Sequence, residues 1–195
     1  MWAIVTDNTI TKLLNNPKGL IIDDIQYSRK IFSLWSVAEK EAKGIYEVVF
    51  DNTKKKDEKY YNNTNQAFAF ADGVVTASYG SATANALADV TNEDDSITSG
   101  LKTKHKRIIK QQASGLLTPT DWYVIKATDV ESYSVPSAVT TFRSNVRTKS
   151  NTMETAIDNA SDVDALATLY QYVNTGTEEN PVMERPLGEF PTLEV

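Results

Sequence analysis

A mixed α+β fold is predicted for this chain: a small antiparallel β module with one helix, then a helical module, then an extended C-terminal arm. Three observations predict it. The first 80 residues hold short apolar runs punctuated by the two-residue turn signals Asp7-Asn8, Asp23-Asp24 and Asp72-Gly73. From Leu101 the apolar residues recur at spacings of three and four instead. Beyond residue 173 neither period continues, and Pro181, Pro186 and Pro191 interrupt the chain. The boundaries that follow are 1–80 for the β module, 81–100 for a polar connector, 101–173 for the helical module and 174–195 for the arm.

Within the β module, residues 2–5 and 10–14 flank Asp7-Asn8 and read as a hairpin, closed by Asn15-Asn16-Pro17-Lys18-Gly19. Leu20-Ile21-Ile22 and Ile25-Gln26-Tyr27 flank Asp23-Asp24 in the same way. Ser36 and Glu39 fit a capping box that opens a short helix, and Gly44 ends it. Ile45 to Phe50 is rich in the β-branched and aromatic residues that suit a pleated surface. Residues 66–71 and 74–79 face one another across Asp72-Gly73, the strongest hairpin signal in the chain.

From Gly80 to Gly100 the composition turns to Ala, Ser, Thr, Asn and Asp without a sustained period, as in a linker or loosely helical connector. A helix is predicted from Leu101 to Ser114, stopped by Gly115. Thr118 is placed to N-cap the next helix, with Pro119 at its first position and Asp121 adding negative charge to its first turn. Trp122 in that helix and Trp35 upstream are expected as core anchors, one per module. The longest helix is expected from Pro136 to Ala160, about 37 Å. Val139, Phe142, Val146, Met153, Ala156, Ile157 and Ala160 mark its apolar face, and Lys149 and Ser150 interrupt it. That interruption argues for two different neighbours over one continuous seam. Ser161 and Asp164 then fit a new cap, and Leu166, Leu169, Tyr170 and Val173 form the stripe of a last helix folding back.

Composition narrows the function classes. Of 195 residues, 41% are hydrophobic and 24% charged, which is ordinary for a globular chain and not for a disordered one. The net charge of -6 disfavours a general polyanion binder. With no cysteine there is neither a disulfide framework nor a sulfur-ligated metal site. The segment Met1 to Asp7 lacks a basic region and an apolar run of signal-peptide length, and no later run could span a bilayer, so a cytosolic setting is expected.

His105 is the single histidine, so any His-based metal site or catalytic triad would be built on it. Lys102, Lys104, Lys106, Arg107 and Lys110 surround it in sequence and would repel a cation, which leaves a place on the helix surface or seam. The same basic run, 102–110, is the best nucleic-acid candidate, but no aromatic interleaves it and Glu93-Asp94-Asp95 lies nearby. Lys54-Lys55-Lys56 with Asp57 and Glu58 reads as a mixed-charge loop, and no phosphate, zinc, calcium or nucleophile motif is found. No enzyme, cofactor or metal is therefore expected. Trp2, opening an edge-prone strand, is a candidate interface residue. In the arm, Met183, Leu187, Phe190 and Leu193 are isolated apolar residues that cannot form their own core and are expected to lie in a groove, preferentially on a partner.

The phrase Leu116-Leu117-Thr118-Pro119-Thr120-Asp121-Trp122, followed by Phe142-Arg143-Ser144-Asn145-Val146-Arg147, resembles the C-terminal part of the tail assembly chaperone and tail fibre assembly proteins of tailed bacteriophages. Leu34-Trp35-Ser36-Val37-Ala38-Glu39, running to Gly44-Ile45-Tyr46-Glu47-Val48-Val49, is similar to the opening module of versions from marine phages. The resemblance covers about two thirds of the chain and implies a non-enzymatic role in tail or tail fibre assembly, with tail fibre or other tail proteins as partners. It implies the host cytoplasm during assembly, and the virion tail if the protein is retained there as a structural component, where a trimer or hexamer would be the natural oligomer. Arg143 and Arg147 match the family's paired arginines and would hold carboxylates, either internally, such as Asp121 or Asp129, or on a partner. The helical hairpin and arm after the arginine pair extend beyond the common short versions.

Overall fold

The computed structural model describes residues 1–193 and divides into two compact units, one from Met1 to Thr83 and one from Ala84 onward. It confirms a mixed α+β chain.

In the first unit, β1 (Trp2–Thr6) and β2 (Thr9–Leu14) form the expected hairpin, with Asp7 and Asn8 both at positive φ, as a tight two-residue turn requires. Thr11 is a bulge residue: Ile4 opposes Lys12 and Val5 opposes Ile10. A second hairpin joins β3 (Leu20–Ile22) and β4 (Ile25–Tyr27) across Asp23 and Asp24, again at positive φ. Two short helices follow where one was expected, α1 (Ile31–Leu34) and α2 (Val37–Glu41). Ser36 caps α2 through the predicted box: its hydroxyl accepts from the Glu39 amide at 3.2 Å, and the Glu39 carboxylate accepts from the Ser36 amide at 2.7 Å.

Beyond α2, Gly44 adopts φ +68, and a Cβ there would collide with the Val5 carbonyl oxygen. That close approach lets the Gly44 carbonyl accept from the Val5 amide at 2.8 Å and feeds β5 (Ile45–Asp51) into the sheet beside β1. After β6 (Tyr61–Asn62), the strands β7 (Ala67–Ala71) and β8 (Val74–Ser78) pair across Asp72-Gly73 as the sequence predicts. The sheet order is β2-β1-β5-β8-β7, and every pair is antiparallel except β5 with β8, which run parallel in the register Val48 to Val75. The parallel pair departs from an all-antiparallel module. A turn signal fixes the partner of β7 but leaves open which older strand β8 joins.

Strand alternation distributes β1 between two cores. Trp2 and Ile4 pack with Leu14, Leu20, Ile31, Phe32 and Ile45 under the helices, while Ala3 and Val5 face Val48, Val75, Ala77 and Phe70 inside the curl of the sheet.

The second unit begins at the β9 boundary (Thr83–Ala84) and continues with a small hairpin, β10 (Val90–Thr91) and β11 (Ile97–Thr98). This region is expected as a linker or loosely helical connector. Instead its backbone caps the next helix: the amides of Leu101 and Lys102 donate to the carbonyls of Ala86 and Leu87, and the Gly100 amide donates to the Asp89 carboxylate at 2.8 Å. Helix α3 (Leu101–Leu117) runs through Gly115 without stopping there. Contacts of Ala113, Leu116 and Leu117 with Phe142 and Val146 outweigh the penalty of about 1 kcal/mol for a mid-helix glycine. Thr118 to Thr120 then form a single 3-10 turn, so Thr118 is not the predicted cap; its hydroxyl donates back to the Ser114 carbonyl. Helix α4 (Asp121–Asp129) follows directly.

Helix α5 (Ser137–Asp158) lies antiparallel to α3 along one continuous stripe: Val139, Phe142, Val146, Ser150, Met153 and Ile157 are all buried. Ser150 therefore does not interrupt the face. Its small side chain fits the seam and its hydroxyl donates to the Glu154 carboxylate at 3.2 Å. Helix α6 (Val163–Thr168) is capped by Asp162, one residue after the expected Ser161, and ends before Val173, which enters β12 (Val173–Asn174). The latter pairs with β13 (Met183–Glu184) in the arm. Residues 194 and 195 of the predicted arm lie outside the described residues. No helix among the described residues is long and apolar enough to cross a membrane.

Candidate functional site

The motif that carries the family resemblance converges on Arg143. From its position on α5 the guanidinium reaches the end of α3: Nη1 lies 2.8 Å from the Asp121 carboxylate, 2.9 Å from the Leu117 carbonyl and 2.6 Å from the Thr120 hydroxyl. The Leu117 carbonyl is one of the acceptors that a helix C-terminus leaves without an intrahelical partner, and it also accepts from Thr120. Of the alternatives raised by the sequence, Arg143 thus takes the internal one with Asp121. Arg147 is exposed one turn on and donates to the Arg143 carbonyl at 3.4 Å.

Asp121 pinned in this way fixes the start of α4, and what α4 then displays differs from expectation. Trp122 is not a core anchor; it is 50% exposed, Val124 and Ile125 are exposed beside it, and no residue of the helix is buried. Nine residues are too few for a helix to be stable alone in water, so the Arg143 node and the preceding turn hold it. The Lys126 side chain adds a cation 4.4 Å from the Tyr133 ring centre.

The basic run is largely consumed by α5. Lys102 donates to the Asp158 carbonyl at 2.7 Å, Lys106 pairs with the Asp158 carboxylate at 2.7 Å, and Lys110 pairs with Glu154 at 3.3 Å. Positive charge at the C-terminal end of α5 also meets the negative end of its dipole. His105 is buried on the α3 seam, its ring 4.7 Å from that of Tyr170. Among the described residues no cluster of His, Asp and Glu is placed to hold a metal.

The described part of the arm lies on its own unit. Leu187 is 2% exposed and its amide donates to the Leu169 carbonyl, while Phe190 and Leu193 pack on Ala113, Phe142 and Val146. Met183 stays 55% exposed on the β12–β13 hairpin, with Tyr172, Val173 and Val182 exposed around it. Arg185 stacks between Tyr170 and Tyr172 and pairs with Glu189 at 2.7 Å. Burial alone would raise the Glu189 carboxyl, but hydrogen bonds from Tyr172 and Arg185 outweigh it and hold the group below the usual carboxylate range. Trp2 is half-buried against Phe32, with ring centres 5.2 Å apart.

The residues named from sequence therefore fall in three places. Arg143 and its exposed neighbour Arg147 lie on α5, with Arg143 at the base of α4; Leu187, Phe190 and Leu193 form the intramolecular seat of the arm, with Met183 exposed on its hairpin; and Trp2 is half-buried on the core of the first unit. The sequence gives no sign of Thr120 and the Leu117 carbonyl as partners of Arg143, nor of the burial of Lys40. Neither carries a local signal, since both depend on which element packs alongside.

These features define a mixed α+β protein of two units that displays an apolar helix on the second. Comparison with known protein families, with curated proteins and with solved structures found no match.

Proposed function

We propose that the chain is a non-enzymatic binding protein of a bacteriophage tail, acting in tail or tail fibre assembly by holding the apolar surface of a fibre or other tail subunit. The observation that carries this reading is α4. It lies inside the segment that resembles tail assembly proteins, and it presents Trp122, Val124 and Ile125 to solvent while Arg143 fixes its base. An exposed tryptophan on a fixed helix, with Ile125 on the same face one turn on, is the kind of aromatic anchor that dominates binding hot spots. Its work would be to cover apolar or strand-edge surface of subunits before they assemble, in the host cytoplasm.

A second reading is a component retained in the virion tail as a trimer or hexamer. Quantitative mass spectrometry of gradient-purified virions separates the two. A fixed ratio to a tail protein in multiples of three or six makes it a structural component. Absence from virions, with co-purification of fibre protein from infected cells, makes it a chaperone. Absence from both overturns the tail reading. Nucleic-acid binding through 102–110 is the distant alternative, and it has little support with Lys102, Lys106 and Lys110 engaged on α5.

A further inference from the structure

Lysine is rarely buried without a carboxylate beside it, because its ammonium loses hydration and needs a counter-charge. Lys40 on α2 is 8% exposed. Its Nζ donates to the Phe32 carbonyl at 3.3 Å and stands 4.6 Å from the centre of the Trp2 ring. The carbonyl is an orphan acceptor at the end of α1 and the indole face attracts a cation, so both neighbours explain where the ammonium sits. Neither carries negative charge. An ammonium has three N–H donors, and these two neighbours leave at least one for another acceptor.

Beside it opens a pocket of about 170 Å³ lined by Trp2, Val37, Ile45, Tyr46, Val49 and Val74. At about 30 Å³ per water, that volume suits one side chain. The short helices cover Trp2 and Ile45 on this face of the sheet but leave Val49 and Val74 exposed, and α2 itself exposes Val37 beside them. Glu41 and Glu47 also line the pocket, and both are exposed to water at its rim.

We propose that this pocket receives a single carboxylate side chain from an extended segment of a protein partner, with the carboxylate on Lys40 and aliphatic neighbours on Val37, Val49 and Val74. The rim carboxylates of Glu41 and Glu47 select against polyanions, so nucleic acid and acidic tracts are repelled, and they favour a basic residue next to the bound acid. The inference rests on reading the chain as a binding protein, but not on the partner being a tail subunit.

Two blocked tetrapeptides, Val-Glu-Val-Lys and its Gln counterpart Val-Gln-Val-Lys, test it when titrated into the full chain, with the Lys40 side-chain signals and the Trp2 indole N–H followed by NMR. The Glu peptide is expected to bind about tenfold more tightly, the discrimination of one charge-assisted hydrogen bond. Lys40→Met, which keeps the stem against Trp2, is expected to bind both equally. Equal binding of the two peptides to the wild-type chain, shifts confined to other residues, or no shifts at all would overturn the proposal, and this comparison stands even if Lys40→Met fails to fold. Peptide failure with tail protein found in virion or lysate removes the pocket alone, whereas peptide binding with no tail association removes the tail assignment alone.

Discussion

Replacing Arg143 by Met tests the node that holds α4. The side chain is 11% exposed, and its loss leaves the Thr120 hydroxyl and the Leu117 carbonyl without their charged donor, although Thr120 still donates to Leu117. Asp121 is half-exposed, so its carboxylate regains water and adds little. One Nη1 carries two hydrogens for three acceptors, so the three bonds are not fully additive. Charged hydrogen bonds of this kind are worth about 1.5–3 kcal/mol, which places the total for Arg143→Met at about 2–3 kcal/mol. That corresponds to a fall in Tm of about 10 °C for a unit of this size. Trp122 is the sole tryptophan of the second unit, so its fluorescence in a Trp2→Phe, Trp35→Phe background reports this unit alone. In a double-mutant cycle with Asp121→Asn, the coupling should be below about 1 kcal/mol, as for a half-exposed pair. A stability within about 0.5 kcal/mol of wild type would refute the reasoning.

Three further outcomes are expected. Gly44→Ala meets both a left-handed φ and the Val5 carbonyl, so it should destabilise the first unit by at least about 2 kcal/mol, and an unchanged urea midpoint would show that the turn relaxes freely. Leu187→Ala should cost about 2–4 kcal/mol locally and release the arm, seen as faster hydrogen exchange at the Leu187 amide; unaltered exchange would mean that Leu187 does not seat it. The Gly100 amide first, and the Thr103 hydroxyl second, hold the Asp89 carboxyl below its ordinary range. Its contribution is present above the unfolded-state pKa and is lost as pH falls through the folded value, so Asp89→Asn should weaken the start of α3 at neutral pH and flatten its acid dependence. Identical pH profiles of Leu101 amide exchange in the two proteins would contradict this.

What the sequence determined by itself was local. Asp7-Asn8, Asp23-Asp24 and Asp72-Gly73 specify hairpins because short polar residues and glycine accept positive φ, and Ser36 with Glu39 closes a box within four residues. The period of α5 was equally legible, as was the pairing of Arg143 with Asp121 as one of its alternatives. Tertiary structure decided whatever depends on a partner distant in the chain. The parallel union of β5 and β8, the passage of α3 through Gly115 and the burial of Ser150 all follow from what packs alongside. So do the exposure of Trp122, the seating of Leu187 on its own unit and the burial of Lys40 beside Trp2. Burial is a property of neighbours: the same side chain is core, seam or surface according to the element opposite it, and no local spacing encodes that choice.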